Sequence, residues 1–175
     1  MADQLPLLHF KHLNRGLFSD YYLNELAPLL DDWQSNQRRV EAKALRDELR
    51  DLLASLKPDQ LDEAQLEEQW VKPVLKKLGH HWLPQVKIRY RDHGYRKPDY
   101  VFTATAEDAR ALTNEIYEPK QLVHALAVGD AKKWGVHLDQ ASVQERNPSQ
   151  QIDEYLRYSE LPWGILTDGQ VWRLY

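Results

Sequence analysis

Apolar positions recur at a helical period in the first third of the chain and at a strand period further on. Ser19 is placed to cap a helix through DYYLNELAPLL. A second helix is predicted from about Asn36 to Ser55, where Leu45, Leu49, Leu52 and Leu56 share one face. KPDQLD breaks this pattern and begins a new unit. LDEAQLEEQWVKPVLKKLG then predicts a helix with Asp59 or Asp62 as cap and Gly79 as stop. Leu66, Trp70, Val71, Val74, Leu75 and Leu78 form its apolar stripe, and Pro73 is expected to kink it by removing a backbone donor.

Beyond Gly79 the reading changes. QVKIRYR alternates like a half-exposed strand, HGYRKP turns the chain, and DYVFTAT is a second strand. EDARALTNEIY is a helix or a long excursion. QLVHALAVGDAKKW carries a nearly continuous apolar run, expected of a central strand. GVHLDQASVQER reads as loop, and Asn147 caps a helix with Pro148 in its first position, running to about Glu160. WGILT and VWRLY flank a DG pair, which predicts a hairpin. The expected fold is α/β, a central mixed β-sheet flanked by helices. A helical N-terminal extension over 1–57 precedes a domain over 58–175. The chain stops directly after strand residues, as expected of one domain cut from a larger polypeptide.

Composition narrows the class. At 175 residues, with six Trp and nine Tyr, the chain is long and apolar enough for a core. There is no run of about eighteen apolar residues and no leader-like opening, so no membrane partner is expected. The lack of cysteine fits a reducing, cytoplasmic setting. The net charge of −4 is unevenly spread. Residues 80–97 carry +4, from Lys87, Arg89, Arg91, Arg96 and Lys97 against Asp92, on an otherwise acidic chain. With Lys133 they are the candidate DNA-contacting residues. A solvated strand edge is the plainer account of the same charges. His80 and His81 read as surface or linker, and Trp70, Trp82, Trp163 and Trp172 as core.

Two acids stand among these strand residues. Asp99 opens the second strand and Asp130 lies late in the third. If those strands are neighbours, the carboxylates approach one another and repel unless a cation sits between them. Mg²⁺ is such a cation. Lys132, two residues beyond Asp130, faces the same side. The preceding helix offers Glu63 and Glu67 within its apolar stripe, and geometry does not separate them. Gln151 and Tyr155, four apart, share a face of the late helix.

Pro98–Asp99 and Asp130–Ala131–Lys132 together resemble the defining pair of the PD-(D/E)XK nuclease superfamily. EAQLEEQWVKPVLKKLG, NPSQQIDEYL and WGILTDGQVWRLY are similar to the N-terminal nuclease domain of type IIG restriction-modification enzymes and related type I motor subunits. The resemblance covers roughly 60–175, with LFSDYYLNEL a weaker likeness. It selects Glu63 over Glu67. It implies a restriction-endonuclease-like core and Mg²⁺, or Mn²⁺ as substitute, held by Glu63, Asp99, Asp130 and the Ala131 carbonyl. Lys132 would position a water, with Gln151 and Tyr155 supporting the site. The implied activity is endonucleolytic cleavage of double-stranded DNA leaving a 5′ phosphate. A transient dimer would serve double-strand cuts. Asp130 stands where glutamate is commoner in the family. Neither a methyltransferase motif nor a helicase P-loop is present. Methyltransferase and target-recognition regions would therefore lie elsewhere on the same polypeptide. The alternative expectation is a non-catalytic nucleic-acid-binding or scaffolding domain that keeps the fold.

Overall fold

The structure, a computed structural model, describes residues 17–91, 94–113, 115–141 and 146–175. Asp92, and parts of the expected HGYRKP turn, the EDARALTNEIY segment and the loop after Gly135, lie outside them. The chain divides into two compact units, Met1–Ala44 and Leu45–Tyr175.

In the first unit, Ser19 Oγ accepts the Tyr22 N–H at 3.0 Å and opens a π-helical turn over Tyr22–Leu26. A 3₁₀ turn over Ala27–Leu29 and helix α1 (Asp31–Gln34) follow. Helix α2 (Asn36–Ala54) matches its expected span. The division between units falls inside α2 rather than at the expected residue 57. The reason is packing: Leu49, Leu52, Leu53 and Leu56 join a core of the second unit.

The second unit begins with a 3₁₀ turn at Pro58–Gln60 and a continuous helical run from Glu63 to Lys77. Asp62, not Asp59, caps it in a reciprocal box with Gln65. The run comprises α3 (Glu63–Leu66), a π-helical turn over Glu67–Val71, and α4 (Lys72–Lys77). Pro73 has no N–H to donate and sits in the first turn of α4, so wider π bonding absorbs the break. Gly79, at φ +82°, ends the run. There the His80 N–H donates to the Leu75 carbonyl and the Gly79 N–H to that of Lys76.

Among the described residues eight strands follow: β1 (His81–Pro84), β2 (Lys87–Tyr90), β3 (Gly94–Arg96), β4 (Tyr100–Thr103), β5 (Ile116–Tyr117), β6 (Ala125–Ala131), β7 (Trp163–Thr167) and β8 (Trp172–Leu174). They form two sheets. The five-stranded sheet runs β1-β4-β6-β7-β8, with β6 and β7 parallel and the other pairs antiparallel. The three-stranded sheet runs β3-β2-β5. Helix α5 (Ala106–Ala111) leads from β4 towards β5, and α6 (Pro148–Ser159) crosses between the parallel strands β6 and β7. Asn147 caps α6 as expected, accepting from the N–H groups of Ser149 and Gln150.

The chain is thus mixed α/β, with a mixed central sheet. Two expectations change. The segment from His81 is not linker but β1, which pairs in register with β4. QVKIRYR is a strand, but it belongs to the smaller sheet. Pairing with β4 makes His81–Pro84 a strand, while Gln85, in the left-handed region at φ +53°, turns the backbone between β1 and β2 as the chain passes to the smaller sheet.

Alternation along the central strands loads both sheet faces. Val101, Val128 and Leu166 join Ile152 and Tyr155 of α6 in one core. Tyr100, Phe102, Ala127 and Ala131 join Leu66, Trp70, Val71, Val74 and Leu75 in the other. Trp70 is buried, and Trp82 and Trp172 pack against this second core. Trp163, expected in the core, is exposed because it opens β7 at the rim. Among the described residues no helix is long and apolar enough to cross a membrane.

Candidate functional site

Antiparallel pairing of β4 with β6 places Tyr100 opposite Gly129. Asp99 therefore stands at the mouth of β4 beside Asp130. By alternation Asp99 and Asp130 share a face with Val101 and Val128, the face that α6 covers. Gly129 on the opposite face leaves room for aromatic packing: a Cβ there would meet the Phe102 ring at 2.7 Å.

The Ala131 N–H donates to Asp99 Oδ2 at 2.8 Å, which ties the two strands together at this point. Asp130 is only 2% exposed. Its Oδ2 lies 2.6 Å from the Lys132 ammonium, an ion pair held inside the protein. Burial drives the Asp130 pKa well above the usual carboxylate range, the Asp99 charge adds to this, and Lys132 opposes it. Burial draws Lys132 down, but the charge of Asp130, helped by Glu63 and Asp99, outweighs it and leaves the ammonium more basic than usual. Lys132 is held in place by its own backbone, whose N–H donates to the Thr167 carbonyl of β7 at 2.8 Å.

Helix α6 closes the site from one side. The Gln151 carboxamide donates to the Tyr155 hydroxyl at 2.7 Å, and that hydroxyl donates to the Lys97 carbonyl at 3.3 Å. Burial and the nearby Asp130 charge push the Tyr155 phenol up to about 12, so it is a hydrogen-bond donor at neutral pH.

The chain matches no family model, no curated protein and no solved structure.

The two candidate helix acids take different places. Glu63 lies close enough for its charge to act on Lys132. Glu67 accepts a hydrogen bond from the Tyr100 hydroxyl at 2.6 Å and lines a cleft of about 340 Å³ with Asp99, Ala64, Glu68, Lys72, Pro84 and Gln85. Burial raises the Glu67 pKa, with Asp99 adding to it against the Tyr100 bond. Sequence spacing weighs Glu67, but the Tyr100 phenol that anchors it carries no signal of its own in the sequence. The same holds for Gln85, whose N–H donates to the Asp99 carbonyl at 3.3 Å.

The candidate ligand atoms are all oxygen: the carboxylates of Asp99 and Asp130, one of them buried, and the Ala131 carbonyl. That fits a hard divalent cation, which takes one or two carboxylates and completes its shell with water and phosphate oxygens. Among the described residues no three His, Asp or Glu side chains converge closely enough to hold an ion by themselves. The expected three-carboxylate set thus stands as a close pair, Asp99 and Asp130, with Glu63 on the Lys132 side.

The candidate DNA-contacting residues split. Arg89 pairs with Glu118 at 2.9 Å and Arg96 with Glu154 at 3.2 Å. Arg91 reaches the Tyr158 hydroxyl at 3.4 Å. Burial raises Glu154, but hydrogen bonds from Tyr90 and Arg96 outweigh it and hold its carboxyl below the usual range. Lys87 and Lys97 flank the Tyr95 ring, and Lys133 is exposed.

Proposed function

We propose that the chain is a Mg²⁺-dependent DNA endonuclease domain, of PD-(D/E)XK type, from a cytoplasmic restriction-modification enzyme. The observation that carries this reading is the close pair Asp99 and Asp130, on adjacent strands and one sheet face, with the Lys132 ammonium 2.6 Å from Asp130. Two acids side by side, one of them only 2% exposed and pushed up in pKa by its burial and its neighbour, are costly for a purely structural cluster. Such an arrangement is common where chemistry needs it.

Asp99, Asp130 and the Ala131 carbonyl would hold the ion, with Glu63 or Glu67 completing the shell through water. When bound, Mg²⁺, or Mn²⁺ in its place, supplies Lewis-acid polarisation of a phosphate oxygen. Lys132 stays protonated at neutral pH, so its role is to orient the attacking water and offset phosphate charge rather than to act as a base. The water oxygen would form the new bond to phosphorus and lose a proton to bulk solvent as the bond to the 3′ oxygen breaks; the leaving oxygen would take a proton from solvent water, so the products carry a 5′ phosphate and a 3′ hydroxyl. Gln151 and Tyr155 pin the Lys97 carbonyl and so hold the strand that delivers Asp99. One such centre cuts one strand, so a duplex break calls for a second copy.

Supercoiled plasmid with Mg²⁺ or Mn²⁺ tests the reading. Nicking is expected, and Asp130→Asn or Lys132→Met should abolish it while circular dichroism stays native. Nicking that survives both substitutions overturns the assignment. One observation favours a binding domain instead: Lys132 already pairs with Asp130 inside the protein. DNA binding that is unchanged by chelator, with no cleavage in any divalent ion, would support that second reading.

A further inference from the structure

Helix α5 packs against the edge strand β1 and its neighbour β4. Between the helix and β1 lies a cavity of about 280 Å³, separate from the cleft that holds Glu67 and Asp99. Backbone period creates it. His81 and Leu83, two apart, face one side of β1. Ala106, Ala109 and Arg110, three and four apart, share one face of α5. All five line the cavity, and alanine at two of the helix positions leaves space that a larger side chain would fill. His80, just before β1, adds a second imidazole, its ring held edge-on to Phe102 with centroids 5.7 Å apart. The lining thus joins apolar surface to three nitrogen-bearing side chains, and among the described residues no Asp or Glu belongs to it.

Arg110 differs from the other arginines. Among the described residues, every other arginine meets a carboxylate, a hydroxyl or a carbonyl oxygen of the protein. Arg110 meets none of these among the described residues, and it is exposed. A cation in the last turn of a helix is favoured by only about 0.3–1 kcal/mol, which does not account for two imidazoles beside it. Desolvation, and then the His81 charge, hold the His80 pKa below its ordinary value. Adjacent imidazoles resist carrying charge together unless an anion joins them. A guanidinium fork and two ring N–H donors match three acceptor oxygens. A phosphate monoester has three terminal oxygens, whereas a carboxylate or a phosphodiester has two. Phosphate alone would leave the space against Leu83, Ala106 and Ala109 unfilled, so the esterified group is apolar and compact.

We infer that the cavity between β1 and α5 binds a phosphate monoester with a compact apolar body. The phosphate lies on Arg110, His80 and His81, and the body lies against Leu83, Ala106 and Ala109. The inference goes beyond the nuclease reading and does not rest on it, because neither Asp99, Asp130 nor Lys132 lines this cavity. Two sources offer this chemistry: a free small ester, and the 5′-phosphate end of a nucleic-acid strand.

Isothermal titration calorimetry of the full chain in chelator, with phenyl phosphate as probe, tests it. Saturable binding is expected, about tenfold or more tighter than inorganic phosphate or phenol, because each of these lacks one half of the contact. Arg110→Gln, at an exposed helix position, should weaken phenyl phosphate about 10- to 100-fold, the loss expected of a charge-assisted hydrogen bond. Ala106→Leu fills the space and should weaken phenyl phosphate while leaving inorganic phosphate unchanged, which gives a second readout. Phenyl phosphate no tighter than inorganic phosphate means an adventitious ion only and overturns the inference. Arg110→Gln binding like wild type overturns it too. Anisotropy of 3′-labelled oligothymidylate separates the two sources within the inference. An Arg110-dependent preference for a 5′-phosphate over a 5′-hydroxyl end supports it with the strand end as ligand. No such preference, with phenyl phosphate still bound, supports it with the free ester as ligand.

Discussion

Lys132→Met removes the cation paired with Asp130, the most buried acid among the described residues. The Lys132 ammonium is 2.6 Å from Asp130, and the two side chains are 11% and 2% exposed. At an effective dielectric of about 20, charges at that distance attract by about 6 kcal/mol before desolvation is counted. Much of this offsets the cost of burying both ions, so the pair itself is worth far less. Removing one partner is another matter, because Asp130 then stays buried beside Asp99. The expected loss at neutral pH is about 3–5 kcal/mol. The sign with pH follows from Asp130, whose folded pKa already lies above its unfolded value and rises further without Lys132. A raised carboxyl stabilises the fold fully below the unfolded pKa of about 3.9, and that stability is lost as pH climbs through the folded pKa. The deficit of the variant should therefore be small near pH 4 and larger near about pH 7.5. Urea unfolding followed by tryptophan fluorescence at both pH values measures it. Asp130→Asn/Lys132→Met should recover much of the loss, because neither charge remains. A deficit equal at both pH values, or under about 1 kcal/mol at neutral pH, would refute the buried ion pair.

Two further substitutions probe the surroundings. Gly129→Ala places a methyl 2.7 Å from the Phe102 ring and should cost about 1–3 kcal/mol in denaturant midpoints by overpacking between β4 and β6. Glu67→Gln keeps the oxygen that accepts from Tyr100 and removes a half-buried charge beside Asp99. Because the Glu67 pKa is raised in the fold, the variant should match wild type near pH 4. It should gain up to about 1 kcal/mol at neutral pH after solvent screening, read as a shift in thermal midpoint.

The local chemistry of the chain was legible in its sequence because caps, stops and turns act over a few residues. Ser19, Asp62, Gly79, Asn147 and the DG hairpin all do what their residue types dictate. The spacing of Asp130 and Lys132 and of Gln151 and Tyr155 likewise implied shared faces, and the structure places them so. His81–Pro84 escaped notice as a strand because four residues beside a helix stop carry too little periodicity, and only pairing with β4 makes them one. The assignment of QVKIRYR to a separate sheet was invisible for a similar reason, since it depends on the left-handed turn at Gln85.

What the sequence determined by itself was which residues could carry charge on which side of each strand or helix, a matter of backbone period. Which elements become neighbours was decided only by tertiary packing. Pairing of β4 with β6 brings Asp99 to Asp130, and the Tyr100 hydroxyl draws Glu67 rather than Glu63 into the cleft with Asp99. Those contacts span about thirty residues or more, and their free energy comes from burial across the whole sheet rather than from any local run of the chain.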